Sequence, residues 1–196
     1  MEILVIIGSV LSLIAISSYI KDTIKGQTRP NRVTWLLWSI SPLIAFFAAL
    51  SNGFTWSLLP VFISGFAPLL VFISTFFNPR SIWKLERFDY VCGFLSLLAL
   101  ILWLIFQEPN FAITLAIISD ALAAIPTIRK AWIAPETESV FPFAVGIFTA
   151  IAGLIVIETW IYSEFAFNFY LIGINTILTG SIFLRKRILN KSASIK

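Results

Sequence analysis

Seven apolar stretches alternate with short polar segments along the chain, over roughly 3–20, 33–51, 54–77, 90–107, 111–128, 140–158 and 166–184. A helix of 18 residues reaches about 27 Å, close to a hydrocarbon core of about 30 Å. Runs this long and this free of charge predict seven transmembrane helices. The third carries Pro60 and Pro68, so it is expected to tilt or kink. All fourteen Lys and Arg residues fall between the stretches, in four clusters. Lys21 to Arg32 form the first, Arg80 to Arg87 the second, Arg129 and Lys130 the third, and Arg185 to Lys196 the fourth. The alternate intervals, near Ser51-Asn52-Gly53, Glu108-Pro109-Asn110 and Glu158 to Glu164, contain no base. Positive loops translocate poorly, so the four clusters belong on the cytoplasmic side. The amino terminus is then outside and the carboxyl terminus inside. Trp35, Trp56, Trp83, Trp132, Trp160 and Tyr162 lie near span boundaries, as an aromatic belt requires. Trp103 reads as lipid-facing or packing.

Composition removes most other classes. A mean hydropathy of +0.94 with 59% hydrophobic and 12% charged residues excludes a soluble domain. The net charge of +4 sits in juxtamembrane loops, where it serves orientation and anionic headgroups. No nucleic-acid partner is expected. With no His and the single Cys92, zinc and haem ligation have no ligand set. No cofactor is called for. There is no Gly-rich phosphate loop, no Lys within the seventh span to anchor retinal, and no second deep acid for an intramembrane aspartyl protease. An enzyme is not expected. The first stretch opens Met1-Glu2 without a basic segment, so it does not read as a cleaved signal peptide. Short tails favour a prokaryotic cell membrane.

Two inner connections look alike. After the first span comes Asp22-Thr23-Ile24-Lys25, then Arg29-Pro30 and Val33-Thr34-Trp35; after the fifth comes Pro126-Thr127-Ile128-Arg129, then Ala134-Pro135 and Val140-Phe141-Pro142. The register is about 104 residues, which makes spans 1–3 and 5–7 parallel repeats and span 4 a linker. With a small insertion, Phe62-Ile63-Ser64-Gly65 lines up with Tyr170-Leu171-Ile172-Gly173. The predicted fold is an all-α integral membrane protein, with seven transmembrane helices as two parallel triple-helix bundles joined by a linker helix. Its parts are a first triple-helix repeat over 1–77, the linker helix with flanking loops over 78–110, a second repeat over 111–184, and a basic cytoplasmic tail over 185–196.

This arrangement, with Pro126-Thr127-Ile128-Arg129-Lys130 standing where a Pro-Gln-x-x-Lys segment would, resembles the PQ-loop superfamily, which includes the SWEET sugar transporters. Thr127 replaces the Gln. The resemblance implies hinge prolines, and Pro126 with Pro142 looks like the pair of the second half and Pro42 like one member of the first. The other first-half proline is missing, with Asp22 about where it should be.

Asp120 lies about ten residues into the fifth span, with no charge within eight positions. An acid at that depth costs several kcal/mol unless it is neutral, paired or hydrated. It reads as a substrate or proton site, or as an acid tying helices together. The first reading is preferred, since the repeat partner near Ile16 is apolar. Asn175 is near the middle of the seventh span, where the resemblance implies a sugar-lining Asn; interhelical packing is the alternative. The matching first-half position, near Ala67, offers no second amide. Trp35 and Trp38 are one turn apart. Trp35 reads chiefly as an interfacial residue, whereas Trp38, deeper, is a candidate platform for a solute ring. Glu136 and Glu138 are expected in solvent.

The expected function is a facilitative or proton-coupled transporter for a small, largely uncharged solute such as a sugar or polyol. Asp120, Asn175 and Trp38 would bind the solute, and Pro42, Pro126 and Pro142 would let the halves rock. The partners are then the solute and the lipid bilayer; a homo-oligomer is compatible with this. Two alternatives share the topology. One is a vitamin or nucleoside carrier similar to the nicotinamide riboside transporters, which would need more aromatic and amide groups at mid-depth. The other is a non-transporting receptor or accessory protein. A receptor similar to the KDEL receptors would need a charged cavity, and an accessory subunit would show Asp120 and Asn175 packed with no cavity.

Overall fold

The computed structural model describes residues 2–78, 83–106 and 108–193. Arg80, Lys196 and the side chain of Trp103 lie outside that description. Among the described residues seven α-helices run in order: α1 Glu2–Lys25, α2 Arg32–Leu50, α3 Leu58–Ser74, α4 Arg87–Phe106, α5 Pro109–Ile133, α6 Phe141–Ile155 and α7 Tyr162–Ala193. A 3-10 turn, Pro135–Thr137, joins α5 to α6, and no strand occurs among the described residues.

Local chemistry sets the helix ends. Asn31 begins α2 by accepting the backbone N–H of Val33 and Thr34 at 3.1 and 3.3 Å. Glu108 does the same for α5, accepting from Asn110 and Phe111 at 3.2 and 2.7 Å ahead of Pro109 at the helix start. Gly26 ends α1 and Gly53 turns the chain between α2 and α3, at φ of 82° and 103°, a region that glycine enters freely.

Apolar runs and helices overlap without coinciding. The third run, 54–77, is longer than α3, because the turn at Gly53 and the segment up to Ser57 are apolar but not helical. Hydropathy reports lipid compatibility rather than helicity. Conversely, α7 continues through 185–193, the stretch expected as a tail. Its Lys, Arg and Leu residues are good helix formers, and no Gly or Pro interrupts them.

α3 packs on both α1 and α2, whose backbones stay apart although the Tyr19 and Trp35 rings touch; α7 likewise lies between α5 and α6, whose backbones also stay apart. α2 packs on α5 and α1 on α6, closing a six-helix ring in the order α1, α3, α2, α5, α7, α6. α4 stands outside this ring, against α5 and α2. Exchanging α1, α2 and α3 for α5, α6 and α7 maps the ring onto itself. These adjacencies hold among the described residues.

The bundle is apolar outside and partly polar inside. Phe47, Phe94 and Ile105 are 62%, 66% and 67% exposed, whereas Ser41, Ser119, Thr34 and Asn168 are fully buried. Such an apolar exterior would make adhesive patches in water but suits hydrocarbon. α1, α2, Asn110–Ile133 of α5 and Tyr162–Lys191 of α7 are long and apolar enough to cross a membrane, and α3 and α6 are shorter apolar helices. Helices satisfy every backbone group internally, as a lipid environment demands. The chain is an all-α integral membrane protein.

The small residues of α5 let its neighbours approach. Ala112, Ala116, Ala123 and Ala124 are buried. Hydroxyls add hydrogen bonds between helices: Thr34 to the Ala123 carbonyl at 2.8 Å, Ser41 to Ser119 at 3.0 Å, and Ser96 to the Ser119 carbonyl at 2.8 Å.

Basic residues of the first, third and fourth clusters gather at one end of the bundle, with Glu86 from the segment of the second beside them. There Arg32 donates to the Thr75 hydroxyl and carbonyl, Arg129 pairs with Glu86, Lys130 reaches the α1–α2 loop, and Arg185 and Lys186 donate to the carbonyls of Trp132 and Glu138. At the opposite end Asn52, Ser57, Thr114, Thr159, Tyr162, Ser163 and Glu164 interact with one another.

Candidate functional site: a central cavity

A cavity of about 100 Å³ lies inside the six-helix ring. On the same measure one water needs about 10–15 Å³, so the space holds several waters or one small solute. All six ring helices line it, and no described α4 side chain joins them. Most of the wall is apolar. Asp120 is the one acid among the lining residues, and no base joins it.

Asp120 is 3% exposed. Its Oδ2 accepts a 2.6 Å hydrogen bond from the Tyr170 hydroxyl on α7, and its backbone carbonyl accepts one from Trp38 Nε1 at 3.2 Å. It therefore ties α5 to α7 and also faces the cavity. Asn175 also lines the cavity, and its Nδ2 donates to the Leu171 carbonyl one turn back at 2.8 Å. Gly146 on α6 makes room for that amide, since a methyl there would stand 3.0 Å from Cγ, Nδ2 and Oδ1 of Asn175. Ser12 and Thr149 add a hydroxyl pair at 2.8 Å between α1 and α6, and Thr149 also donates to the Gly8 carbonyl at 2.9 Å.

The prolines act differently from one another. Pro42 and Pro68 sit inside α2 and α3 and line the cavity. Having no N–H, they leave the carbonyls of Trp38 and Ser64, four residues earlier, without their helical donor. Both residues are themselves cavity-lining. Pro142 also lines the cavity but occupies the first turn of α6, where a missing N–H breaks no helical bond. Pro126 is buried within α5, away from the cavity wall.

Trp35 departs from its sequence reading. It is 2% exposed and packs in the core, with Tyr19 at 4.9 Å, Trp38 at 5.4 Å and Phe143 at 6.5 Å between ring centroids. It starts α2, as an interfacial Trp would, but α2 enters the ring beside α5 and turns this face inward. Together Trp35, Trp38 and Phe143 form an aromatic wall of the cavity. The chain matches no family model, no curated protein and no solved structure.

Glu138 is a second correction. It is not in solvent but buried, 2% exposed, and forms an ion pair with Lys130, itself 1% exposed. The 3-10 turn after α5 folds Glu138 back alongside the last turn of that helix. Lys130 Nζ also donates to the Arg29 carbonyl at 2.5 Å, and the Tyr19 hydroxyl donates to Glu138 Oε2 at 2.8 Å. Glu136 is exposed, as expected.

Asp120, Asn175, Trp38, Pro42 and Pro142 thus share one cavity, and Pro126 does not. The sequence reading missed Tyr170, Phe143, Gly146, Thr149 and the Lys130–Glu138 pair. Tyr170 is 50 positions from Asp120 in sequence, and nothing local marks it. For Lys130 and Glu138 the Pro-containing turn between them marks a chain reversal but not burial.

Proposed function

We propose that this protein is a membrane carrier for a small, largely uncharged solute, a sugar or polyol being the leading class, with movement either facilitative or proton-coupled. The observation that carries this reading is the cavity at the centre of the ring, shared by all six helices and holding a lone buried acid. Transporters built from repeats keep their substrate site at the repeat interface. The self-mapping order of the ring supports the two-repeat reading and, with it, the likeness to the PQ-loop and SWEET-like carriers. In this reading all seven helices cross the bilayer, α3 and α6 by local thinning or tilt of their neighbours. The basic end faces the cytoplasm.

Within the cavity, the freed carbonyls of Trp38 and Ser64 accept from solute hydroxyls, and the Asn175 amide both donates and accepts. Asp120, bonded to Tyr170 on one oxygen, is the acid through which a proton would be taken up or released. The aromatic wall favours a second reading as well. Trp35, Trp38 and Phe143 give more ring surface on the cavity wall than the sequence suggested, and flat rings such as nucleosides stack on such surfaces. Cavity and packed aromatics together weigh against an accessory subunit.

Counterflow in proteoliposomes against labelled sugars, polyols and nucleosides tests the reading, with wild type and Asp120→Asn compared at two pH values. Saturable uptake that weakens or loses its pH dependence in Asp120→Asn supports it. A folded wild type with no saturable uptake of any of the three classes refutes it.

A further inference from the structure

Buried polar clusters bridge the two halves of the ring at both of its ends, and the cavity lies between them. At the basic end the bridge runs from Tyr19 on α1 to Glu138, on to Lys130 on α5, and back to the Arg29 carbonyl in the α1–α2 loop. The Arg29 N–H also donates to the Thr137 carbonyl at 3.1 Å, and Lys186 Nζ caps the Glu138 carbonyl at 2.9 Å. At the opposite end Glu164 on α7, 7% exposed, accepts from Ser57 at 3.2 Å and from Thr159 at 3.1 Å. Asn168 Nδ2 donates to the carbonyls of Ser57 and Glu164, both at 3.1 Å. Ser57 begins α3, so this cluster too joins first half to second.

Each cluster touches the cavity wall. Tyr19 packs on Trp35, which lines the cavity. Asn168 Oδ1 and Pro60 Cγ both crowd Gly153, within 2.8 and 3.0 Å of where a methyl would stand, and Pro60 lines the cavity. Both clusters lie near the ends of the bundle, where water can take over their hydrogen bonds when the halves part. The bond between Asp120 and Tyr170, at mid-depth, has no such substitute except in a hydrated cavity. A few directional bonds between charged or amide groups are made or lost together, which gives an element two states rather than a continuum.

We propose that the Tyr19–Glu138–Lys130 cluster and the Ser57–Glu164–Asn168 cluster are the two gates of the cavity, each closing one end of the solute path. This rests on the carrier reading. Weakening either gate shifts the population toward the state open at that end and away from the other.

The test needs no knowledge of the solute. Cys92 is the only cysteine and stands on α4, outside the cavity lining. A Cys92→Ala background with Ser64→Cys places one thiol in the cavity wall, and Asn175→Cys serves as a second reporter. A membrane-impermeant thiol reagent is applied to oriented vesicles from each side in turn. Glu138→Gln, or the milder Tyr19→Phe, should raise labelling from the basic end about tenfold and lower it from the opposite end, since a shift of about 1.4 kcal/mol moves a two-state ratio tenfold. Ser57→Ala or Glu164→Gln should do the reverse. Labelling that rises equally from both ends would mean general loosening and overturns the gates. So would unchanged rates in all four variants while the wild-type cavity is reached from the two sides, though the carrier reading would then stand. A thiol that a permeant reagent reaches but an impermeant one reaches from neither side, in wild type and variants alike, sinks the carrier reading and the gates together.

Discussion

Gly65 on α3 and Gly173 on α7, which the sequence reading aligned, have opposite surroundings in the structure. A methyl on Gly65 would stand 2.8 Å from Leu43 Cγ, 3.1 Å from the Leu43 backbone nitrogen and 3.1 Å from the Ser39 carbonyl oxygen. The Leu43 side chain can rotate away. The two backbone atoms cannot, so α2 and α3 must separate by a few tenths of an ångström along their contact. Overpacking of this kind costs about 1–3 kcal/mol. A methyl on Gly173 meets nothing within 4 Å. Replacing either glycine with alanine also gains about 1 kcal/mol of helix propensity. That gain is common to both variants and cancels between them. Gly65→Ala should therefore be less stable than Gly173→Ala by about 1–3 kcal/mol. At about 2–4 °C per kcal/mol for a chain of this size, the melting temperatures differ by about 2–12 °C. The assay is thermal unfolding of the two purified variants in one detergent, followed by tryptophan fluorescence at one scan rate, because unfolding in detergent is read partly as a rate. Equal melting temperatures, or Gly65→Ala the more stable of the two, would refute the close approach of α2 and α3.

Lys130→Met alone leaves the Glu138 carboxylate buried without its counter-ion and should cost about 3–5 kcal/mol, whereas Lys130→Met with Glu138→Leu should recover most of the loss; a double-mutant cycle in melting temperature reads the difference. Gly146→Ala should force the Asn175 amide off its position and lower counterflow several-fold, with little change in melting temperature, which separates a cavity effect from unfolding. Tyr170→Phe removes the donor to Asp120 Oδ2 and should reduce counterflow as Asp120→Asn does, and combining the two should add little, as for groups acting as a unit. Arg129→Ala should leave the melting temperature unchanged, because the pair with Glu86 is about half exposed on both sides, at 47% and 53%.

Much of the bundle was legible along the chain, because the signals behind it are local and additive. Each apolar run became a helix, and the base-free intervals near Asn52, Glu108 and Glu164 mark one end while the basic clusters mark the other. Hydrophobicity and charge are sums over neighbours in sequence, so a window of residues contains the answer. Asp120 announced itself by the same rule, as a charge where the sum should have excluded one. Helix ends were less legible. The boundary at Leu58 depends on a glycine turn inside an apolar segment, and the extension of α7 past Leu184 depends on propensity rather than polarity.

What the sequence determined by itself, then, was the number of helices, the sidedness of charge and the depth of one acid. Only the tertiary structure decided the ring order, the company Asp120 keeps and the fates of Trp35 and Glu138. A helix offers a full circle of side chains, and which arc faces inward is set by neighbours that arrive from far along the chain. Trp35 is buried because Tyr19 of α1 and Phe143 of α6 close on the first turn of α2, beside Trp38 of its own helix. Glu138 is buried because a proline-led turn carries it back to Lys130 just where Tyr19 of the other half presents a hydroxyl. Neither residue differs locally from one facing lipid headgroups or water. Their burial is a property of the closed ring, which no window of the chain contains.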